Sequence, residues 1–114
     1  MPSERRLEKI NELIYRFISE LLRKELDVDS LVTVSSVSTS GNGQDCTIGV
    51  TIFPFEKSEI VLKEIEKNIY EIQKRLNRGL NMRPVPKIRF KIDESEEKGG
   101  TILKKISDIE KNGP

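Results

Sequence analysis

The chain has no histidine and no tryptophan, a single cysteine, Cys46, and only two tyrosines, Tyr15 and Tyr70, among 114 residues. Each scarcity narrows the chemistry. Without histidine, imidazole acid–base catalysis and histidine-based triads are excluded. A zinc centre needs three or four nitrogen or sulfur ligands, so no metal site is expected. A lone cysteine forms no internal disulfide, which fits a reducing cytoplasm. No apolar run approaches the ~20 residues of a membrane span, and no signal-peptide core follows Met1. A soluble, cytoplasmic protein is expected, with no membrane partner, cofactor or small-molecule substrate.

The length is that of one modest domain. Hydrophobic residues make up 35% and charged residues 34%, so each element can bury only one face. The net charge of +1 conceals an uneven distribution. Residues 57–91 hold ten Lys/Arg against four Glu, a local +6. Residues 1–56 hold six against nine and residues 92–114 four against six, both segments net acidic. The middle segment is the part with the charge of a binding footprint.

Hydrophobic periodicity sets out the elements. Ile10, Leu13, Ile14, Phe17, Ile18, Leu21 and Leu22 recur at helical spacing and predict an amphipathic helix running to about Leu26. Val32–Val37 is β-branched and reads as a strand. Gly41-Asn42-Gly43 is a turn signal, and Cys46, Ile48, Val50 and Ile52 alternate as the inward face of a second strand. Cys46 is therefore expected in the core. Ser58 is placed as an N-cap. Val61, Ile65, Ile69, Ile72, Leu76 and Leu80 then repeat at helical spacing, with Gly79 positioned to cap or bend the end. Pro84 and Pro86 stop the helix. Ile88, Phe90 and Ile92 alternate with Lys87, Arg89 and Lys91, giving a third strand with one apolar and one basic face. Ile102, Leu103, Ile106 and Ile109 mark a last short helix, and residues 111–114 a tail. The order is α-β-β-α-β-α. Three strands are too few for burial on both faces, so an α+β domain with helices on one face of a small sheet is expected.

Three clusters invite chemistry. Asp93, Glu94, Glu96 and Glu97 suggest an acid–base pair, yet a helix capped by Ser95, with Glu96 and Glu97 at its positive end, explains them better. Gly99-Gly100 lacks the further glycines of a phosphate loop, and four acids just upstream would repel phosphate. The basic set is different. Lys67, Lys74 and Arg78 fall on one side of the central helix, and Lys87, Arg89 and Lys91 line one face of the third strand. They form two converging lines if helix and strand are adjacent; the alternative is a solvated face paired with Glu64, Glu66 and Glu71. Tyr70 is placed either to stack on a base or to pack on its helix neighbours.

The tract Leu76-x-x-x-Leu80-x-x-Arg83-x-Val85-Pro86-x-Ile88-x-Phe90, followed by Asp93-x-Ser95-x-x-x-Gly99-x-x-Ile102, resembles the ribosome-binding factor A family. The resemblance extends back through Ile10–Leu26, Val32–Ser40 and Cys46–Ile52 without forced gaps. It implies a single type II KH-like domain over residues 1–110, no enzymatic activity, and monomeric binding to 16S rRNA in the free or precursor 30S subunit, near the decoding centre and 3′ end. It also implies a role in late 16S processing and growth in the cold. The chain departs from the family where an Ala-x-Gly kink is usual: Asn68-Ile69-Tyr70 stand there, and a bend at Asn68 and a straight helix are both open. Val28-Asp29-Ser30 replace the family's Asp-Pro-Arg. The candidate RNA-contacting residues are Lys67, Asn68, Tyr70, Lys74, Arg75, Arg78, Arg83, Lys87, Arg89 and Lys91, holding rRNA by shape and phosphate contact. Two other readings stand beside this: an α+β protein-interaction domain without RNA, and a small enzyme using the Asp93–Glu97 carboxylates.

Overall fold

The computed structural model describes residues 3–25 and 29–93. Helix α1 spans Glu4–Glu25, strand β1 Leu31–Thr39 and strand β2 Asp45–Phe53. A 3-10 turn at Phe55–Lys57 leads into α2, Ser58–Lys67, followed by α3, Ile69–Gly79, and strand β3, Lys87–Ile92. The last helix expected from Ile102 to Ile109, with its Ser95 cap, Glu94, Glu96, Glu97 and the Gly99-Gly100 joint, lies outside the described residues.

Helix α1 begins a turn and a half earlier than its apolar pattern, because Ser3 caps it. The Arg6 N–H donates to Ser3 Oγ at 3.1 Å and the Leu7 N–H to Ser3 O at 2.9 Å. Such a cap contributes about 1 kcal/mol. Ile10, Ile14, Ile18 and Leu22 form the buried stripe.

The sheet order is β1-β2-β3. β1 and β2 form an antiparallel hairpin, and β3 lies parallel to β2, with Cys46 opposite Ile88 and Ile48 opposite Phe90. The hairpin closes at Gly43, whose φ of 75° favours glycine. Helices α1, α2 and α3 cover one face, where Val34, Cys46, Ile48, Val50, Ile52, Ile88 and Phe90 meet Ile14, Ile18, Val61, Ile65, Ile72 and Leu76. Cys46 is 1% exposed, as its alternation required, and burial pushes its thiol pKa above the ordinary value, partly offset by hydrogen bonding to the Thr39 side chain and the Ser38 backbone. Among the described residues, no helix is long and apolar enough to cross a membrane.

Two local expectations change, and the alternative left open at Asn68 is decided. Ser58 does not cap α2: it is the first helical residue, buried, and its Oγ has no hydrogen-bond partner among the described residues. The 3-10 turn ahead of it supplies the entry instead, with the Lys57 N–H donating to Pro54 O at 3.0 Å. Gly79 closes α3 without a left-handed conformation, since Gly43 alone among the described glycines has positive φ. Its role is steric: a Cβ there would collide with the Phe17 ring of α1. The central helix is not continuous. Asn68 interrupts it with φ −102° and ψ 10°, its N–H donating to Ile65 O at 3.0 Å rather than to Glu64 O. The Asn68 side-chain amide donates to Glu64 O at 2.8 Å, taking over the ladder bond that the backbone gives up. The Ile72 N–H then donates to Asn68 O at 3.0 Å and starts α3. An asparagine thus makes a break that needs no glycine.

Candidate nucleic-acid interface

β3 carries its basic residues as alternation dictates: Ile88 and Phe90 are buried, while Lys87, Arg89 and Lys91 are exposed on the face away from the helices. The helix cations sit on the other side of the molecule. Tyr70, Lys74 and Arg78 follow one another at four-residue spacing on the outward face of α3, opposite Ile72 and Leu76. Tyr70 is 81% exposed, so it does not pack on its helix neighbours. Lys67 ends α2, and the break at Asn68 releases it from the helical phase of Lys74 and Arg78. Arg75 is half-buried, on the shoulder of α3 rather than its outward face. Helix and strand are adjacent, but their cations look out from opposite faces of a two-layer domain.

The pairing of these charges is informative. Among the described residues, Arg16 pairs with Glu12 at 2.6 Å, Lys24 with Glu20 at 2.7 Å, and Lys57 with Asp29 at 3.7 Å. The Lys24 ammonium, through its hydrogen bond and its charge, holds the Glu20 carboxyl below its usual pKa. Lys67, Lys74, Arg78, Lys87, Arg89 and Lys91 form no such pair among the described residues, so Glu64, Glu66 and Glu71 pair with none of Lys67, Lys74 and Arg78. Among the described residues, the ion pairs gather on α1 and at the entry to α2.

Several of the remaining residues are committed. Arg83 wraps the end of α3, its Nη1 donating to Leu80 O at 3.3 Å and Met82 O at 2.6 Å. Asn68 spends its amide on Glu64, also reaching Glu64 Oε2 at 3.2 Å, and keeps only its carbonyl for a partner. Asp93, the first acid of the suspected catalytic cluster, closes the sheet: its N–H donates to Val50 O at 2.8 Å and its Oδ2 accepts from Ser35 Oγ at 2.7 Å. That bond passes over β2 at Gly49, where a side chain would strike Ser36 Oγ. A bulge in β1 between Val34 and Ser36 brings Ser35 to this position.

Two features were not legible in the sequence. Gln73, half-buried on α3, clips the free edge of β3: its Nε2 donates to Pro86 O at 3.0 Å and its Oε1 accepts the Ile88 N–H at 2.8 Å. It fixes the strand that displays Lys87, Arg89 and Lys91. On the sheet face that no described helix covers, Ser38, Ser40, Asp45, Thr47 and Arg89 line a cleft of about 450 Å³. Only the parallel register, which sets Asp45 beside Lys87 and Thr47 beside Arg89, brings these together.

A three-stranded mixed sheet with helices on one face, a broken central helix and a polar, basic open face defines a KH-like α+β domain. The family model described as ribosome-binding factor A matches residues 6–106, and the chain belongs to that family. A ribosome-binding factor A of Prochlorococcus marinus (strain NATL1A) is 36% identical over 115 residues, covering 96% of this chain and 94% of the relative. The crystal structure of ribosome-binding factor A from Thermus thermophilus shares the fold with a TM-score of 0.67 at 23% identity, over 75% of this chain and 93% of that one. A homology model of the Thermus thermophilus factor, fitted into a cryo-EM map of a 30S–RbfA complex, matches with a TM-score of 0.61 at 22% identity, over 74% of this chain and 91% of that one.

Proposed function

We propose that this chain is a cytoplasmic, monomeric assembly factor that binds 16S rRNA in the free or precursor 30S subunit and supports its late maturation. It acts by binding, without catalysis. Family membership across residues 6–106 supports the partner, as does the 30S complex of the Thermus thermophilus relative. The observation that carries the RNA reading is the set of cations without carboxylate partners among the described residues: Lys67, Lys74 and Arg78 on the helix side, Lys87, Arg89 and Lys91 on the sheet side. Two basic faces suit a protein that holds rRNA segments on either side by phosphate contact, with Tyr70 exposed to stack on an unpaired base. Arg83, tied to two carbonyls, contributes its charge at a fixed position, while Asn68 offers one acceptor and Arg75 sits at the margin.

Charge reversal at Lys74, Arg78 and Arg89 together tests this. Co-sedimentation with small subunits is expected to fall steeply. The log–log salt dependence of the wild-type protein should exceed that of the variant by about 0.7–0.9 for each phosphate that the variant no longer neutralises. Co-sedimentation unchanged by the triple reversal would remove the RNA reading and favour a protein-interaction domain.

A further inference from the structure

We propose that the cleft on the open sheet face holds one unpaired guanine base of an RNA strand, with Asp45 reading its N1–H/N2–H edge and Arg89 its O6/N7 edge. This rests on the RNA-binding reading above and adds base selectivity to phosphate contact. Asp45 and Thr47 point outward from β2, paired in register with Lys87 and Arg89 of β3, and Ser38 of β1 lies opposite Thr47. The Arg89 Nε–H donates to Thr47 Oγ1 at 3.1 Å, which lays the guanidinium across the sheet and leaves its two terminal nitrogens without a hydrogen bond among the described residues. Asp45 uses its backbone in the hairpin, accepting the Ser40 N–H at 2.7 Å and donating to Ser40 Oγ at 3.1 Å, while its carboxylate has no hydrogen-bond partner among the described residues.

Asp45 and Arg89 thus line the same cleft yet form no ion pair with each other. A carboxylate accepts two N–H bonds, and a guanidinium donates two as a fork. A ligand that bridges them must present two donors on one edge and two acceptors on the next. Guanine does so, with N1–H and N2–H beside O6 and N7. A phosphate offers acceptors only and would meet Asp45 as a like charge. Adenine presents an acceptor at N1 where Asp45 needs a donor. The Watson–Crick edge must be open for Asp45 to reach it, so the base is unpaired. The cleft volume of about 450 Å³ lies in the ~300–1,000 Å³ range of small-ligand sites.

The test titrates the 15N-labelled full chain with the RNA tetramers UUGU and UUAU, with UUGU carrying inosine for guanosine (no exocyclic amine), and with GMP. UUGU is expected to move the Asp45 and Thr47 amides and the Arg89 Nε–H, with an affinity on the order of tenfold above UUAU and the inosine strand. Asp45→Asn should erase that preference with the fold intact by its amide spectrum. Arg89→Lys should erase it too while keeping most of the total RNA affinity, since the charge stays and the fork goes. Tighter binding of UUGU than of GMP supports an RNA strand as the source; GMP binding as tightly or more tightly overturns that assignment. Equal affinities for UUGU and UUAU, or a guanine preference that survives Asp45→Asn, overturns the base site while small-subunit co-sedimentation stays intact. Wild-type protein that fails to co-sediment at all sinks the assembly-factor reading instead.

Discussion

Replacing Gln73 should unfasten β3 and, with it, the basic sheet face. Gln73 makes two hydrogen bonds to the strand's free edge, at 3.0 Å to Pro86 O and 2.8 Å from the Ile88 N–H, and Pro86 and Ile88 are both buried. Each bond is worth about 0.5–1.5 kcal/mol net, and a buried amide or carbonyl left unpaired costs about 1–3 kcal/mol. Partial rescue by water at this edge brings the total for Gln73→Met to roughly 2–3 kcal/mol. Methionine keeps the volume and removes only the polar groups, so the loss reports the hydrogen bonds rather than a cavity. In a domain this size that corresponds to a fall in Tm of roughly 10–20 °C. Urea denaturation at unchanged m-value measures it, and amide hydrogen exchange at Ile88 locates it. Small-subunit binding should weaken in step, because the strand carries Lys87, Arg89 and Lys91. A loss under about 0.5 kcal/mol with Ile88 exchange unchanged would refute the reasoning, since Gln73 would then be a surface residue with incidental bonds.

Gly79→Ala places a methyl group into the Phe17 ring and should cost about 1–3 kcal/mol by thermal melt; a combined Gly79→Ala, Phe17→Leu variant should recover part of it. Ser58→Ala removes a buried hydroxyl that has no partner among the described residues and should be neutral or stabilise by up to about 1 kcal/mol, whereas a true N-cap serine would lose about 1 kcal/mol in the same denaturation curve. Cys46 has a raised thiol pKa in the folded state, so its contribution is fully present below the unfolded value of about 8.5 and is lost as pH climbs through the higher folded value. Stability measured from pH 7 to 10 should therefore decline more steeply for wild type than for Cys46→Ala, and native Cys46 should resist iodoacetamide at pH 8.

The elements with strong periodicity were readable because one face of each must be buried. Ile10–Leu22, Cys46–Ile52 and Ile88–Phe90 all turn their apolar positions to the core, and the exposed face of β3 follows by alternation. What the sequence did not disclose depends on register and on competition between hydrogen bonds. Asn68 has the same helix propensity whether it continues a helix or breaks it; the break appears only when its side chain replaces its own backbone donor at Glu64 O. Ser58 has the composition of a cap, but the 3-10 turn from Phe55 moves the helix entry ahead of it. On the sequence, adjacency of helix and strand was enough for Lys74 and Arg78 to converge with Lys87, Arg89 and Lys91. In the fold, adjacency through Ile88 and Phe90 sends the two sets to opposite faces. Asp45, Thr47 and Gln73 carried no motif, since their roles come from residues 13 or more positions away.

Crosslink mapping on the protein bound to small ribosomal subunits tests the central claim most directly. Zero-length photocrosslinking to rRNA, read out peptide by peptide, should place contacts on both basic faces: 67–78 on the helix side and 87–91 on the sheet side. Contacts confined to the exposed face of α1, around Arg16 and Lys24, or subunit binding without any rRNA crosslink in either basic segment, would contradict it.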